Sequence, residues 1–185
     1  LEAAKVLRGK QGRIVAFEPN PPILNRLKFN LAANPLLHTS ELQLDVMDIG
    51  VADSDMVFEL HVENANLGQS SILSQGHTRP KSASAEALSV VTIQCRPLLA
   101  VLDELGIERI DVLKIDIEGA EDMALMPYLK AAPRSLLARM IIIENSEHLW
   151  TDDLFSQFEQ LGYQRVFHDR SNSVYRLPIT NCVTQ

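Results

Sequence analysis

The sequence predicts an α/β protein built on a mostly parallel sheet, and three observations carry the prediction. Short apolar runs alternate with amphipathic helical stretches, the pattern of strands joined by crossover helices. Two of the runs, residues 110–117 and 136–143, are apolar through most of their length, as strands buried on both faces are. Carboxylates close several runs, and open α/β sheets bind ligands beyond the carboxyl ends of their strands.

The elements follow in order. Residues 1–7 read as the end of a helix stopped near Gly9 and Gly12, and residues 13–17 as a first strand closed by Glu18. Asn20 suits a helix cap, with Pro21 at the first helical position, where the missing N–H costs nothing. Ile23, Leu24, Leu27 and Leu31 then form the apolar stripe, and Asn34-Pro35 ends it. A second strand is expected within residues 42–51, and Asp53-Ser54-Asp55 supplies turn chemistry before a third at 56–62. Residues 63–87 are polar and rich in Ser, Asn, Gly and Gln, a length that suits a functional loop.

Residues 88–95 alternate like an exposed or edge strand, and Leu98, Leu99, Val101, Leu102 and Leu105 make a helical stripe stopped at Gly106. A central strand is expected at 110–117, then a helix from near Gly119 that Pro127 bends or ends. The strand at 136–143 closes on Glu144. Thr151 suits the cap of a last helix with Asp152 and Asp153 in its first turn, Leu154, Phe155, Phe158 and Leu161 inward, and Gly162 past its end. Residues 163–168 and 174–179 make a closing antiparallel pair.

Composition bounds the function. The 185 residues suit one domain, and 46% hydrophobic with 22% charged residues is ordinary globular composition. No apolar run approaches the roughly 20 residues of a membrane span. A formal charge of −7, with the 17 basic residues in no block, argues against a nucleic-acid partner. Cys95 and Cys182 are too few and too far apart for a disulfide framework or a zinc site, which suits a reducing, cytoplasmic compartment. The five histidines lack metal-ligand spacing, so no metal is expected. No Gly-x-Ser-x-Gly elbow is present.

The residues that carry chemistry are acids. Lys114, Asp116 and Glu118 share one strand face if extension persists to Glu118, and an ionic end to a buried strand needs a reason. Either a ligand binds there, or Lys114 and Asp116 pair with each other or with helix ends. Glu18, Asp116 and Glu144 all close predicted strands. A carboxylate at the position of Glu18 accepts two ribose hydroxyls side by side, and it also suits the amides of the following helix start. Asp53, near the end of the neighbouring strand, suits approach to the base of a nucleoside, or is an ordinary turn aspartate. Ser70 and Ser71, in Asn66-Leu67-Gly68-Gln69-Ser70-Ser71, suit a substrate-facing loop or a plain surface loop.

At these residues the chain resembles the FkbM-type methyltransferases, which use S-adenosylmethionine. The resemblance rests on Ile14-Val15-Ala16-Phe17-Glu18-Pro19-Asn20, on Gly50-Val51-Ala52-Asp53, on Gly68-Gln69-Ser70-Ser71 and on Leu113-Lys114-Ile115-Asp116-Ile117-Glu118-Gly119-Ala120-Glu121. It covers about residues 13–166, and the last segment is the most specific. It implies a Rossmann-like methyltransferase sheet, mostly parallel with a C-terminal antiparallel strand, in one domain spanning residues 1–185. It also implies O-methylation of a sugar, glycan or secondary-metabolite hydroxyl. S-adenosylmethionine would be held by Glu18, Pro19, Asn20 and Asp53, and the acceptor by Ser70, Ser71 and Glu144. Asp116 would be the general base, with Lys114 or Glu118 orienting it and Glu144 in reserve.

One departure stands out. Such enzymes carry a glycine-rich loop after their first strand, and the eight glycines here include no Gly-x-Gly. That strand and loop are expected before Leu1, making the domain N-terminally incomplete and leaving a sheet without its middle strand, with edges open to pairing by another chain. Two other readings stay open: a nicotinamide-dependent dehydrogenase, which Glu18 also suits, and a non-catalytic binding module on the same sheet.

Overall fold

The computed structural model describes residues 2–7, 9–35, 39–63 and 88–178. It is an α/β chain of two compact units, Leu1–Val51 with Met56–Cys95, and Ala52–Asp55 with Arg96–Gln185.

In the first unit, α1 (Glu2–Leu7) precedes β1 (Gly12–Phe17), α2 (Pro21–Ala32) and β2 (Leu42–Met47). β1 and β2 pair in parallel from Gly12↔Leu42 to Phe17↔Met47, so α2 is the crossover that a parallel pair requires. Buried Ala4 and Leu42 pack with Leu7, Ile14, Leu31 and Leu44. Pro21 occupies the first turn of α2 as expected, whereas the Asn20 side chain makes no cap hydrogen bond. The backbone carbonyl of Asn20 instead accepts the N–H of Leu24 at 2.8 Å.

The strand expected within 42–51 is β2, and a further short strand begins before residue 51. β2 stops at Met47, and β3 (Gly50–Ala52) joins β4 (Met56–Glu63) and β5 (Leu88–Pro97) in a three-stranded sheet of order β3-β5-β4. β5 therefore lies in the middle of its sheet and not at an edge. Its alternation is real, with Ile93 and Cys95 buried and Val90 half exposed. An antiparallel strand open to water on one face alternates wherever it stands in the sheet, and β4 and β5 are antiparallel. Gly50 is needed where it lies, because a Cβ there would stand 2.6 Å from Cys95 Sγ.

The second unit holds α3 (Leu98–Glu104), β6 (Val112–Ile115), α4 (Glu121–Ala131), β7 (Met140–Glu144), α5 (Leu154–Gln160), β8 (Gln164–His168) and β9 (Asn172–Arg176). Its sheet has the order β6-β7-β9-β8, with β6 parallel to β7 and β9 antiparallel to both β7 and β8. The closing antiparallel pair is thus as expected, but pairing over the described residues is mixed and not mostly parallel, and the strands lie in three sheets.

One face of the four-stranded sheet presents Ile141 and Ile143, both fully buried, level with Tyr175 and Ser173 of β9. Phe155 and Phe158 of α5 lie on Tyr175 with ring centroids 5.6 and 4.7 Å away. Each such buried apolar side chain contributes roughly 1.5–3 kcal/mol relative to exposure, which holds α5 to the sheet. Two tyrosines fix the connection before β7. Tyr128 O–H donates to the carbonyl of Leu136 and accepts the N–H of Ala138, while Tyr163 O–H donates to the Ala138 carbonyl.

Three boundaries differ from expectation. β7 begins at Met140 because residues 134–137 form a turn. α4 runs through Pro127, since Leu125, Met126, Tyr128 and Leu129 around it are all buried and packing outweighs the lost hydrogen bond. α5 is capped by Asp153, which accepts the Ser156 N–H at 3.0 Å, and not by Thr151.

Candidate functional site

β6 and β7 run in parallel with Ile115 opposite Ile143. Asp116 directly follows β6, and Glu144, still paired with Asn172, is the last residue of β7, so the two acids stand at neighbouring carboxyl ends. Lys114, two residues before Asp116 on the same strand face, places its ammonium 2.7 Å from Asp116 Oδ2. Lys114 and Asp116 therefore pair with each other, which the sequence left open beside a ligand role, and the pair is largely exposed, so it adds little stability. Glu144 is half-buried and accepts the Ser146 hydroxyl at 3.1 Å.

Extension does not persist to Glu118. β6 ends at Ile115, and Glu118 adopts φ +56°, in the left-handed region. The expected shared face of Lys114, Asp116 and Glu118 is therefore confined to the first two. Glu118 nevertheless stays with the acids. Its carboxyl is held above the usual range by partial burial first, then by the charges of Glu144, Asp116 and Glu121. Asp116 and Glu144, at two neighbouring strand ends, are thus near enough for their charges to act on Glu118.

The turn beneath the cluster is built by a residue the sequence did not single out for a role. Glu121 is fully buried. Its Oε1 accepts the N–H groups of Ile117 at 2.9 Å and Gly119 at 3.3 Å, and its Oε2 accepts the Trp150 indole N–H at 2.8 Å. A buried carboxylate costs several kcal/mol unless it is hydrogen-bonded, and these three donors meet that demand. Asp122 beside it is also buried and accepts the N–H groups of Thr151 and Asp152 at 2.7 and 3.1 Å. Gly119, at φ +99°, passes Leu149 so closely that a Cβ would lie 2.5 Å from Leu149 Cδ1. The sequence held one signal, the Gly-Ala-Glu-Asp run straight after the acids, but nothing in it paired Glu121 with a tryptophan 29 residues away.

In the first unit, Glu18 follows β1 and its N–H donates to the Met47 carbonyl at 3.0 Å. Glu18 Oε1 accepts the N–H of Asn20 at 2.9 Å. Burial outweighs that hydrogen bond and pushes the carboxyl upward. One oxygen thus serves the helix start, while the second accepts no hydrogen bond from the described residues and keeps its capacity for a ligand hydroxyl. Asn20 is buried, and Pro19 lies against Gly50, 3.7 Å from the position of a Cβ there. Asp53 belongs to the second unit, is exposed, and accepts the Ser54 hydroxyl at 2.9 Å. Ser70 and Ser71 lie outside the described residues. Among the described residues no group of three His, Cys, Asp or Glu side chains is placed to hold a metal ion, and no helix is long and apolar enough to cross a membrane.

The acids thus gather where the parallel strands β6 and β7 end, in an α/β chain. The family model of the methyltransferase FkbM domain matches residues 1–165, and the chain belongs to that family. A solved structure, the methyltransferase FkbM from Methylobacillus flagellatus KT, is similar with a TM-score of 0.51 at 18% identity, over 94% of this chain and 39% of that one. At that identity the likeness speaks for the fold, and the chain spans about two-fifths of the other protein's length. No curated protein is significantly similar in sequence.

Proposed function

We propose that the protein is an S-adenosylmethionine-dependent O-methyltransferase acting on a hydroxyl of a sugar, glycan or secondary metabolite, on the Rossmann-like sheet that the family resemblance implies. The observation that carries the reading is the Asp116, Glu118 and Glu144 cluster, with Lys114 fixing Asp116, in a chain of the FkbM family.

The residues suit the cofactor. Glu18 keeps one carboxylate oxygen for the ribose hydroxyls while Asn20 fixes the other; Pro19 and Asn20 are proposed to hold the nucleoside with it, and Asp53 is proposed as a further cofactor-binding residue. When bound, S-adenosylmethionine supplies a sulfonium methyl group to an oxygen nucleophile. An alcohol is a poor nucleophile until its proton has somewhere to go. Asp116 accepts that proton, and the Lys114 ammonium keeps its carboxylate aimed. Glu144 and the hydroxyls of Ser70 and Ser71 hydrogen-bond the acceptor. A positioned base of this kind contributes about 10²–10⁴-fold, and alignment of the two reactants contributes more, up to roughly 7–11 kcal/mol.

The test uses the full-length protein carrying this sequence. Calorimetry should give binding of S-adenosylmethionine and none of a nicotinamide dinucleotide, with Glu18→Gln weakening the former at least tenfold. Asp116→Asn should reduce turnover by about 10²-fold or more with cofactor affinity kept. Unchanged turnover removes Asp116 from the chemistry, and lost cofactor affinity moves it to the binding set. Binding of the dinucleotide in place of S-adenosylmethionine overturns the reading.

A further inference from the structure

We propose that Glu121 is a positioning residue that holds the Glu118 carboxylate toward the acceptor, an inference that rests on the methyltransferase reading and adds to it. Glu118 has φ +56° and an exposed side chain. A left-handed position favours Gly, or Asn and Asp, whose short side chains bond locally. Glutamate there gains nothing for the fold, and no hydrogen bond from the described residues reaches its carboxylate. Its carboxylate is left to face the charges of Asp116 and Glu144, and the strain is met from elsewhere.

The source of that compensation is visible. Glu121 Oε1 takes the N–H on either side of Glu118, from Ile117 and Gly119, so the peptides flanking the strained residue are tied to one atom. Trp150 secures the other oxygen, and Leu149 leaves no room for a side chain at Gly119. Only a carboxylate meets this geometry. A glutamine offers one acceptor oxygen, and its NH₂ would face an N–H donor. Asp116 and Glu144 stand at the neighbouring strand ends, so the held carboxylate joins the face on which the acceptor is proposed to lie.

The experiment compares wild type, Glu121→Gln, Glu118→Asn and the double variant of the full-length protein. Turnover is methyl transfer from S-adenosylmethionine carrying a labelled methyl group to a panel of methyl glycosides and hydroxylated aglycones. Hydrogen exchange at Ile117 and Gly119 is read with no acceptor present. Glu121→Gln should speed exchange at both amides at least tenfold. It should also lower kcat about tenfold with KM for S-adenosylmethionine unchanged, and move the acidic limb of the kcat profile to lower pH, because one negative neighbour of Glu118 is gone. Glu118→Asn should fold with equal or higher thermal stability yet lose at least tenfold in kcat. In that background Glu121→Gln should cost less than about threefold more, since two residues acting as a unit are not additive. Unchanged exchange in Glu121→Gln, or full turnover in Glu118→Asn, overturns the proposal. Absence of transfer by the wild type overturns the methyltransferase reading instead, and the exchange data, which need no acceptor, tell the two failures apart.

Discussion

Trp150 donates its indole N–H to Glu121 across 29 residues of sequence, at 2.8 Å, and thereby ties the segment after β7 to the start of α4. Asp122, next along the helix, accepts the following two backbone N–H groups, of Thr151 and Asp152. Two consecutive buried acids thus join the turn after β6 to the stretch leading into α5.

Replacing Trp150 by Phe tests the tie. The variant leaves one oxygen of a buried carboxylate without its donor, and such a group costs about 1–3 kcal/mol or more when charged. The edge contact of Trp150 with Phe155, at 5.1 Å between centroids, also changes. Urea denaturation should show a loss of at least about 1 kcal/mol. A loss within error would mean that the indole contributes no net stability.

Gly119→Ala should be among the costliest small substitutions in the chain. Two effects add, a Cβ 2.5 Å from Leu149 Cδ1 and a φ of +99° that L-residues resist. Strain of this kind costs roughly 1–3 kcal/mol. Adding Leu149→Ala should recover the steric part and leave the backbone part, so the double variant is expected to be more stable than the two single losses summed. Strict additivity in thermal melts would show that the close approach carries no energy.

The charge on Glu118 predicts a pH effect of definite sign. Its folded carboxyl lies above the ordinary glutamate value of 4.5, so between the unfolded and folded values the folded protein binds more protons. Stability contributed by this group is then full below the unfolded value and is lost as pH rises through the folded one. Glu118→Gln cannot ionise and escapes that loss. It should be the more stable protein near pH 8, by less than about 1 kcal/mol because the side chain is exposed and screened. The two should converge as pH falls to about 4, and the gap at pH 8 should narrow in 1 M salt. Melting temperatures across pH at two salt concentrations measure this. A variant less stable than wild type at pH 8 contradicts the assignment.

Particular residues show what the sequence made legible. The shared face of Lys114 and Asp116 follows from alternation, and the parallel register brings Glu144 beside them. The burial expected of a central strand does not hold, since among the described residues β6 is an outer strand of its sheet and Val112 is exposed. The turn at Glu118 was not legible, because it depends on Glu121 being wholly buried, which ionisable residues rarely are. Thr151 and Asp153 are equally good caps on paper. Asp122 decides between them by taking the amides of Thr151 and Asp152, so that the helix opens at Leu154. Pro127 signalled a break that the buried residues around it suppress. Short-range rules failed wherever a partner distant in sequence set the local conformation.

The approach of Gly50 to Cys95 has a practical consequence. The thiol is sealed within the protein, and burial raises its pKa, so little reactive thiolate meets solvent. A reagent such as a maleimide must wait for β5 to part from its neighbours. With Cys182 changed to Ser, the rate of labelling at Cys95 becomes a clock for breathing of the three-stranded sheet, read without any added dye.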